Sequence, residues 1–398
     1  MKKLFYAVVI GLILFEMVNV YFIMPMPGSQ NMESIGLAYF LYRFRWAFRI
    51  GLGALAAFSF LKTKWQRRWI PLSILVIFAA VAYVFNFQMA ADAMFLPQTQ
   101  VITKPSAESK VDSDRLVIGF ERNGEARAYP IQFIGYHHQV VDTVGGQPIM
   151  VTYCTVCRTG RVFEPKVNGR FETFRLVGMD HFNAMFEDAT TGSWWRQATG
   201  EAVAGKLKGT TLPELPSQQM ALQQWLILHP TSRILQPDPQ FQMRYDSMKK
   251  YDSGNGRSTL TRRDSLSGHD KSWVVGVKVN GKSKAFDWNR LQKARVLNDF
   301  IGKTPVVVAL AADDKSFVAF ERPTALTMFS IKNDTLFDVS NSSKTNCFNL
   351  KGEPNDPSPM NNRDASTVKT TQLNRLKAYQ EFWHSWRTFN PETEADFK

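Results

Sequence analysis

Long apolar runs separated by short polar loops occupy the first quarter of the chain. Residues 4–24 contain one charge, Glu16, and residues 70–91 contain none. A helix needs about 20 apolar residues to cross a bilayer core, so both runs predict membrane-spanning helices. A third run, residues 35–61, also contains Arg43, Arg45 and Arg49. We predict a helical membrane anchor over residues 1–96, with three transmembrane helices.

The three arginines of the middle run allow two interpretations. Charge is costly at membrane depth, so such side chains reach the lipid headgroups or face protein. In the first interpretation the helix starts near Trp46 or is tilted, and the arginines lie at headgroup level. In the second they form a cluster that faces lipid or a substrate.

Lysine and arginine in short loops predict the orientation of the anchor. Residues 62–68 contain four of these cations, two more precede the first run, and residues 25–34 contain none. We therefore expect the N-terminus in the cytoplasm and residues 97–398 outside it. For a bacterial chain this predicts an inner-membrane protein whose C-terminal domain is periplasmic or extracellular, where thiols meet oxidants. The lipid bilayer is its expected partner.

Short β-rich runs with Gly and Asn turns replace the apolar runs after residue 96. Ile118-Gly119 matches Val275-Gly276, and Phe163-Glu164 matches Phe320-Glu321, each pair 157 residues apart. Matches between them keep the same spacing, which chance does not readily produce. We predict a β-rich α+β outer domain built from two repeats with pseudo-twofold symmetry.

The repeat also predicts boundaries and local structure within the outer domain. Its parts are a first repeat at 97–243, a connector at 244–271 and a second repeat at 272–398. Within the first repeat, Asn123-Gly124 predicts a hairpin turn because both residues tolerate positive φ. Helices are predicted over residues 218–228 and 371–387 from their apolar spacing.

Charge and motif content exclude several functions. The net charge is +13, of which +6 lies in the first 96 residues, so the large outer domain carries only +7. This mild excess does not indicate a nucleic-acid partner. Three cysteines in 398 residues exclude a disulfide-rich scaffold. No hydrolase, phosphate-loop or dinucleotide motif is present, so no catalytic residue is assigned.

Differences between the two repeats predict a site in the first one. Residues kept in both copies serve the fold, whereas residues present in one copy are candidates for function. Only the first repeat has thiols and imidazoles at the compared positions, namely Cys154, Cys157, His137 and His138. Thiolate and neutral imidazole together suit a soft metal ion, so we expect copper or zinc at these four residues. The second repeat is then a degenerate scaffold.

The spacing of the two cysteines leaves other interpretations open. Residues three apart on a straight strand lie about 10 Å apart, whereas a disulfide requires Cα atoms within about 7 Å. A cooperating pair therefore needs a turn at Thr155-Val156. With such a turn the pair is suited to metal ligation or to thiol–disulfide redox chemistry. Without it the cysteines are structural.

A second candidate site combines aromatic and cationic residues. Trp194 and Trp195 are adjacent, Arg196 follows them, and His181 precedes them between two methionines. A guanidinium stacks well on indole, so these four residues suit a small ligand or an extracytoplasmic partner. The protein would then be a non-enzymatic binding module. The alternative is a packed loop.

Several motifs together resemble a known family. DTVGG at 142–146 and VTYCTVCRTG at 151–160 resemble the bacterial and archaeal domain-of-unknown-function family numbered 3179. The similarity continues through TGSWWRQATGEA at 191–202 and the tryptophan motifs near 225 and 386, and covers nearly the whole outer domain. It implies an extracytoplasmic domain with a signal or membrane anchor, and no assigned chemistry. It also implies glycine where this chain has Arg158.

The predicted topology can be tested with reporter fusions. A periplasm-active reporter fused after Lys398 should be active, and one fused after Trp65 should be inactive, because the cations of residues 62–68 retain that loop in the cytoplasm. Enzymatic activity of the reporter in intact cells is the measurement. The reverse pattern would reject the orientation and the oxidising compartment assumed for the cysteines.

Overall fold

The computed structural model describes residues 1–340, 346–355 and 371–397. The chain forms two compact units, the first comprising Met1–Pro97 and Lys166–Leu212, and the second comprising Gln98–Pro165 and Pro213–Lys398. Residues 166–212, which lie inside the predicted first repeat, thus group with the N-terminal helices. The domain boundaries drawn from the repeat stay a prediction.

Helices dominate the N-terminal part of the first unit. Lys2–Tyr21 and Trp69–Gln88 are long and apolar enough to cross a membrane; the second is α-helical to Tyr83 and then π-helical. Ile35–Arg43 and Arg45–Leu61 meet at an angle of 58° and would form a third span if counted together. A membrane anchor is therefore supported, whereas the third span and the orientation stay predictions.

A polar cluster joins three of these helices. Arg49 donates from Nε and Nη2 to the two carboxylate oxygens of Glu16, at 2.8 and 2.7 Å. Asn86 donates to Glu16 Oε2 and accepts from Arg49, both at 2.7 Å. Neither interpretation of the arginines describes Arg49, which pairs with Glu16 inside the bundle. An ion pair with further hydrogen bonds is how charge is accommodated at such depth.

Most of the rest of the first unit is β-structure. An antiparallel four-stranded sheet has the order Ala202–Ala204, Trp194–Arg196, Asn183–Asp188 and Phe174–Asp180. A small hairpin pairs Lys166–Val167 with Arg170–Phe171. Shorter helical turns complete the unit at Ser29–Asn31 and Ala91–Met94.

Two sheets form the N-terminal half of the second unit. The first has the strand order Thr103–Pro105, Arg233–Leu235, Glu125–Pro130, Leu116–Arg122 and Gln218–Ala221. The second has the order Glu214–Leu215, Thr159–Phe163, Gln147–Cys154 and Gln139–Val144. The helices of this half are Ser106–Glu108, Ile131–His137, Leu222–Leu228, Pro239–Phe241, Gln242–Met248 and Lys250–Ser253. The predicted hairpin at Asn123-Gly124 is confirmed, with φ of 52° and 77°.

The C-terminal half of the second unit has a matching order of elements. Its first sheet runs Lys377–Phe382, Trp273–Val279, Lys282–Asp287 and Glu394–Asp396. Its second sheet runs Val296–Ile301, Thr304–Leu310 and Phe317–Glu321, and a third runs Phe329–Lys332, Thr335–Asp338 and Cys347–Phe348. The helices are Trp288–Ala294 and Trp383–Phe389. A β-rich α+β architecture is therefore present, and the pseudo-twofold relation stays a prediction.

Both predicted helices of the outer domain are shorter than expected. Residues 218–221 and 377–382 are strands, and only Leu222–Leu228 and Trp383–Phe389 are helical. The first of these strands pairs with Leu116–Arg122, and the second pairs with Trp273–Val279. Tertiary pairing therefore overrides the helical spacing of their apolar residues.

A tryptophan lies directly against a glycine in each half of the second unit. A Cβ built on Gly119 would lie 2.3 Å from the indole of Trp225, and one on Gly276 would lie 2.2 Å from the indole of Trp386. Glycine is required at both positions because any side chain would displace the indole. Each contact fixes one helix of its half, Leu222–Leu228 or Trp383–Phe389, against the sheet.

A buried ion pair connects the two halves of the second unit. The guanidinium of Arg161 donates to the carboxylate of Glu381, and their side chains are 3% and 1% exposed. The same guanidinium lies 3.5 Å from the ring centroid of Tyr379 and 3.4 Å from the carboxylate of Glu214. Removal of one partner would leave the other charge buried without compensation.

We predict that Arg161→Met destabilises the protein by about 3–5 kcal/mol, because Glu381 remains buried and unpaired. Arg161→Met combined with Glu381→Leu should recover most of that loss, since no buried charge remains. Urea unfolding of the full chain in mild detergent, followed by tryptophan fluorescence, measures both. Lys315→Met, which removes an exposed pair with Asp114, is the control and should cost less than about 1 kcal/mol. A double variant no more stable than Arg161→Met would refute this account.

Candidate functional site

The two cysteines flank a tight turn, which we call the cysteine turn (residues 154–158). Strand Gln147–Cys154 ends at the first cysteine, residues 155–158 form the turn, and strand Thr159–Phe163 returns antiparallel. The turn that a cooperating pair requires is therefore present. Arg158 has φ of +58°, in the region that favours glycine. This geometry explains why glycine is the residue implied there by the family resemblance.

Arg158 is held in this conformation by several contacts. It is 3% exposed, and its guanidinium lies 3.9 Å from the ring centroid of Trp273. It donates to Gln380 Oε1 at 2.8 Å and to the carbonyl oxygen of Tyr251 at 2.5 Å. These interactions offset the cost of about 1–2 kcal/mol for a side chain at positive φ.

Both thiols of the cysteine turn are buried, and they are not joined in a disulfide. The thiol of Cys157 hydrogen-bonds to Cys154. Burial raises the pKa of the Cys157 thiol well above its ordinary value, and the hydrogen bond to Cys154 raises it further. Lys271 and Ser385 act in the opposite direction. Cys157 therefore keeps its proton at neutral pH.

Lys271 and His384 lie beside the cysteine turn. Lys271 Nζ donates to the carbonyl oxygen of Val156 at 2.8 Å and lies 3.0 Å from His384 Nε2. Burial lowers the pKa of Lys271 to about 8, while the two thiols favour its charged form. Burial and the charge of Lys271 lower the pKa of His384 to about 3. The imidazole is therefore neutral at physiological pH.

The start of helix Trp383–Phe389 also contacts the turn. The backbone N–H of Phe382 donates to the carbonyl oxygen of Cys157 at 3.0 Å. The hydroxyls of Thr159 and Ser385 are 3.3 Å apart, and Ser385 donates to Glu381 Oε2 at 3.0 Å. The second half of the unit thus supplies functional groups to a turn in the first half.

Lys271, His384 and Ser385 are absent from the site predicted by sequence. They lie more than 100 residues from the cysteines along the chain, so no local spacing indicates them. The comparison of repeats contains a signal that could have found two of them. His384 and Ser385 stand where the first repeat has Gln223 and Gln224, so they too occur in one copy only.

The two histidines expected as ligands lie in a different environment. His137 Nε2 is 2.6 Å from the hydroxyl of Tyr245, and its ring packs against Phe241. His138 Nδ1 is 3.3 Å from the carbonyl oxygen of Tyr136. Among residues 1–340, 346–355 and 371–397, no three His, Cys, Asp or Glu side chains are close enough to hold a metal ion. Copper or zinc binding by these residues therefore stays a prediction.

The adjacent tryptophans are both buried. Trp194 and Trp195 are 0% and 1% exposed, on opposite faces of strand Trp194–Arg196. Trp194 Nε1 donates to Glu187 and Trp195 Nε1 to Asp188, both at 2.9 Å. Alternate strand residues face opposite sides, which lets each indole enter a separate layer. Neither indole presents its face to solvent in this structure.

The two cationic members of the second candidate site share one carboxylate. Arg196 Nε donates to Asp180 Oδ2 at 2.7 Å, and His181 Nδ1 is 2.5 Å from Asp180 Oδ1. The hydrogen bond to Asp180 raises the pKa of His181. Recognition of a ligand by this group stays a prediction.

We predict that the buried imidazole of His138 makes the protein sensitive to acid. Burial lowers its pKa from 6.5 to about 4, so its contribution to stability is complete above pH 6.5 and is lost as the pH falls towards 4. The loss approaches about 3 kcal/mol at pH 4. His138→Asn tolerates the positive φ of 62° and should reduce the pH dependence of the unfolding free energy.

Urea unfolding at pH 7.5 and pH 4 provides the measurement. The matched control is His269→Asn, since the His269 side chain is 55% exposed, and it should not reproduce the effect of His138→Asn. An equal pH dependence in His138→Asn and the unmodified chain would contradict the prediction.

Comparison with known proteins agrees with the motifs. The sequence model of the family described as "Protein of unknown function (DUF3179)" matches residues 96–393. No curated protein and no solved structure is significantly similar to the chain. The match includes the cysteine turn, Lys271 and helix Trp383–Phe389. The chain therefore belongs to the DUF3179 family of proteins of unknown function.

Proposed function

We propose that this membrane-anchored protein is a thiol–disulfide redox protein whose Cys154 and Cys157 cycle between dithiol and disulfide. The supporting observation is the pair of hydrogen-bonded thiols across a tight turn, with Lys271 beside them. The predicted periplasmic or extracellular location would place the pair in an oxidising compartment.

The chemistry follows from the unequal environments of the two thiols. Cys154, as thiolate, attacks one sulfur of a disulfide in a partner protein and releases the other partner sulfur as a thiolate. Cys157 then transfers its proton to the neutral amine of Lys271 and attacks Cys154 Sγ, which releases the second partner sulfur. The partner gains two electrons, and Cys154 and Cys157 become a disulfide. A lysine with a pKa of about 8 suits this role of proton acceptor near neutral pH.

A partner protein would approach the buried thiols from the surface on which Lys271 lies. Lys271 lines an open depression on the surface of the second unit, together with Asp264, Gly268, His269 and Asp270. Since Lys271 Nζ donates to the carbonyl oxygen of Val156 inside the turn, its side chain connects this depression with the thiols. Displacement of residues 264–271 would let a partner sulfur approach the cysteine turn.

We also propose that the outer domain arose by duplication and has pseudo-twofold symmetry. Reciprocal contacts support this arrangement. Phe382 N–H, before the helix of the second half, donates to Cys157 in the turn of the first half. Ala221 N–H, before the matching helix of the first half, donates to Ser316 Oγ at the turn of the second half. The redox pair therefore occupies one of two equivalent positions.

Redox titration of the full chain in mild detergent tests the proposal. Cys347→Ser provides the background, so that only Cys154 and Cys157 react. Incubation in increasingly oxidising glutathione buffers should convert the pair to a disulfide in a two-electron transition. Thiol alkylation followed by mass spectrometry measures the conversion. In this background Cys157→Ser should accumulate a mixed disulfide with glutathione at Cys154, and Lys271→Met should slow the reaction.

Lys278→Met is the control for Lys271→Met, because Lys278 is another lysine of the same unit whose pKa is also lowered by desolvation. It should leave the exchange rate unchanged. Two thiols that persist in oxidised glutathione, together with stoichiometric zinc or copper that either cysteine variant loses, would contradict redox cycling and favour the metal site.

A further inference from the structure

A polar cavity lies in the first unit, at the ends of its two spanning-length helices. Its volume is about 160 Å³. The polar side chains in its lining are Asn19, Tyr42, Arg45, Asn86, Asp92 and Arg175. They come from separate helices and from strand Phe174–Asp180, so the fold brings them together from distant parts of the chain.

Arg45 carries a charge that no carboxylate of the described residues neutralises. Its Nη1 donates to the carbonyl oxygen of Tyr42 at 2.7 Å, and its guanidinium lies 3.9 Å from the centroid of the Tyr42 ring. The other arginines of this region are paired, Arg49 with Glu16 and Arg175 with both Glu187 and Asp92, whose carboxylate also lines the cavity. Arg45 is therefore the cation of the lining that forms no ion pair with a carboxylate of the described residues.

Asn19 contributes a second group that lacks a partner. The residue is 5% exposed, and its Oδ1 has no hydrogen-bond partner among the described residues. A buried polar atom without a partner costs about 1–3 kcal/mol. The amide of Asn19 can present either its oxygen or its NH₂ group, depending on its orientation. Oδ1 is an acceptor as it stands, and rotation of the amide by about 180° brings the NH₂ group to the same position, where Asn19 and Arg45 are both donors for an anion.

The surroundings of the cavity indicate the source of that anion. Val20, Ile23 and Phe85 form part of the lining, next to the polar side chains. Helix Trp69–Gln88 is strongly apolar, and hardly any of it is buried against the rest of the protein. Lipid would cover such a surface in a membrane, and lipid phosphates lie at the level where the apolar part of a helix ends.

We infer that this cavity binds the phosphate group of an anionic membrane lipid, with Arg45 as the main ligand and Asn19 as a second donor. Guanidinium and phosphate form strong, geometrically matched hydrogen bonds, particularly where water is scarce. The apolar part of the lining then contacts the glycerol end of the acyl chains. This inference rests on the proposed membrane anchor and is independent of the thiol chemistry.

Calorimetric titration of the delipidated full chain in neutral detergent tests the inference. The probes are short-chain phosphatidylglycerol, short-chain phosphatidylcholine and inorganic phosphate. We expect saturable binding of phosphatidylglycerol and weaker binding of phosphatidylcholine, whose choline adds a positive charge near Arg45. Arg45→Gln should weaken phosphatidylglycerol binding by about tenfold or more, as expected for loss of a charge-assisted hydrogen bond.

Arg43→Gln is the matched control, because Arg43 is an exposed arginine two residues away that does not line the cavity. It should change the affinity by less than about twofold. Asn19→Ala provides a second test if Arg45→Gln fails to fold, as judged by circular dichroism, and should also weaken binding. Unchanged affinity in a folded Arg45→Gln or Asn19→Ala variant would overturn the inference.

Two further results would also overturn it, for distinguishable reasons. Inorganic phosphate that binds as tightly as phosphatidylglycerol would identify a free anion as the ligand. Extraction of the chain from membranes by alkaline carbonate without detergent would refute the anchor, whereas the redox titration of Cys154 and Cys157 would be unaffected.

Discussion

The contact between Gly276 and the indole of Trp386 determines the geometry on which the cysteine turn depends. Because Gly276 lacks a side chain, helix Trp383–Phe389 can approach the sheet until the indole touches the backbone. This position directs Ser385 towards Cys157 and His384 towards the carbonyl oxygen of Val156, and it places Glu381 where Arg161 reaches it. Groups that differ in sequence position by more than 200 residues thus meet because one helix is fixed by close packing.

Local signals in the sequence were sufficient to predict several parts of this structure. Asn123-Gly124 specifies its hairpin through backbone preferences alone, and the constraint on disulfide geometry indicated where a turn must lie if the two cysteines cooperate. The residues around the turn were not predictable in this way, because Lys271 reaches it only through tertiary folding. The pairing of Glu16 with Arg49 could have been inferred more readily from the sequence, because two opposite charges in separate apolar runs have few other partners at membrane depth.

The grouping of residues 166–212 with the N-terminal helices changes how the family region is understood. This segment lies inside the region matched by the family, yet its Trp194 packs against Tyr39 and Tyr42 of the helical segment, with ring centroids 5.1 and 5.3 Å apart. Tyr39 also donates to the carbonyl oxygen of Gly192 at 3.1 Å. Removal of the helices would expose an indole that is fully buried in the intact chain, so the region is not independent of its anchor.

The cluster of Glu16, Arg49 and Asn86 has a consequence for biosynthesis. During membrane insertion, the first helix leaves the ribosome with Glu16 well before Arg49 and Asn86 have been synthesised. An unpaired carboxylate is unfavourable among lipid chains, so this helix reaches its final environment only when the second helix supplies a guanidinium. The last helix then adds the amide that completes the hydrogen bonds of both ions. Assembly of the bundle is therefore ordered, and a chain truncated before residue 86 would retain an incomplete polar cluster.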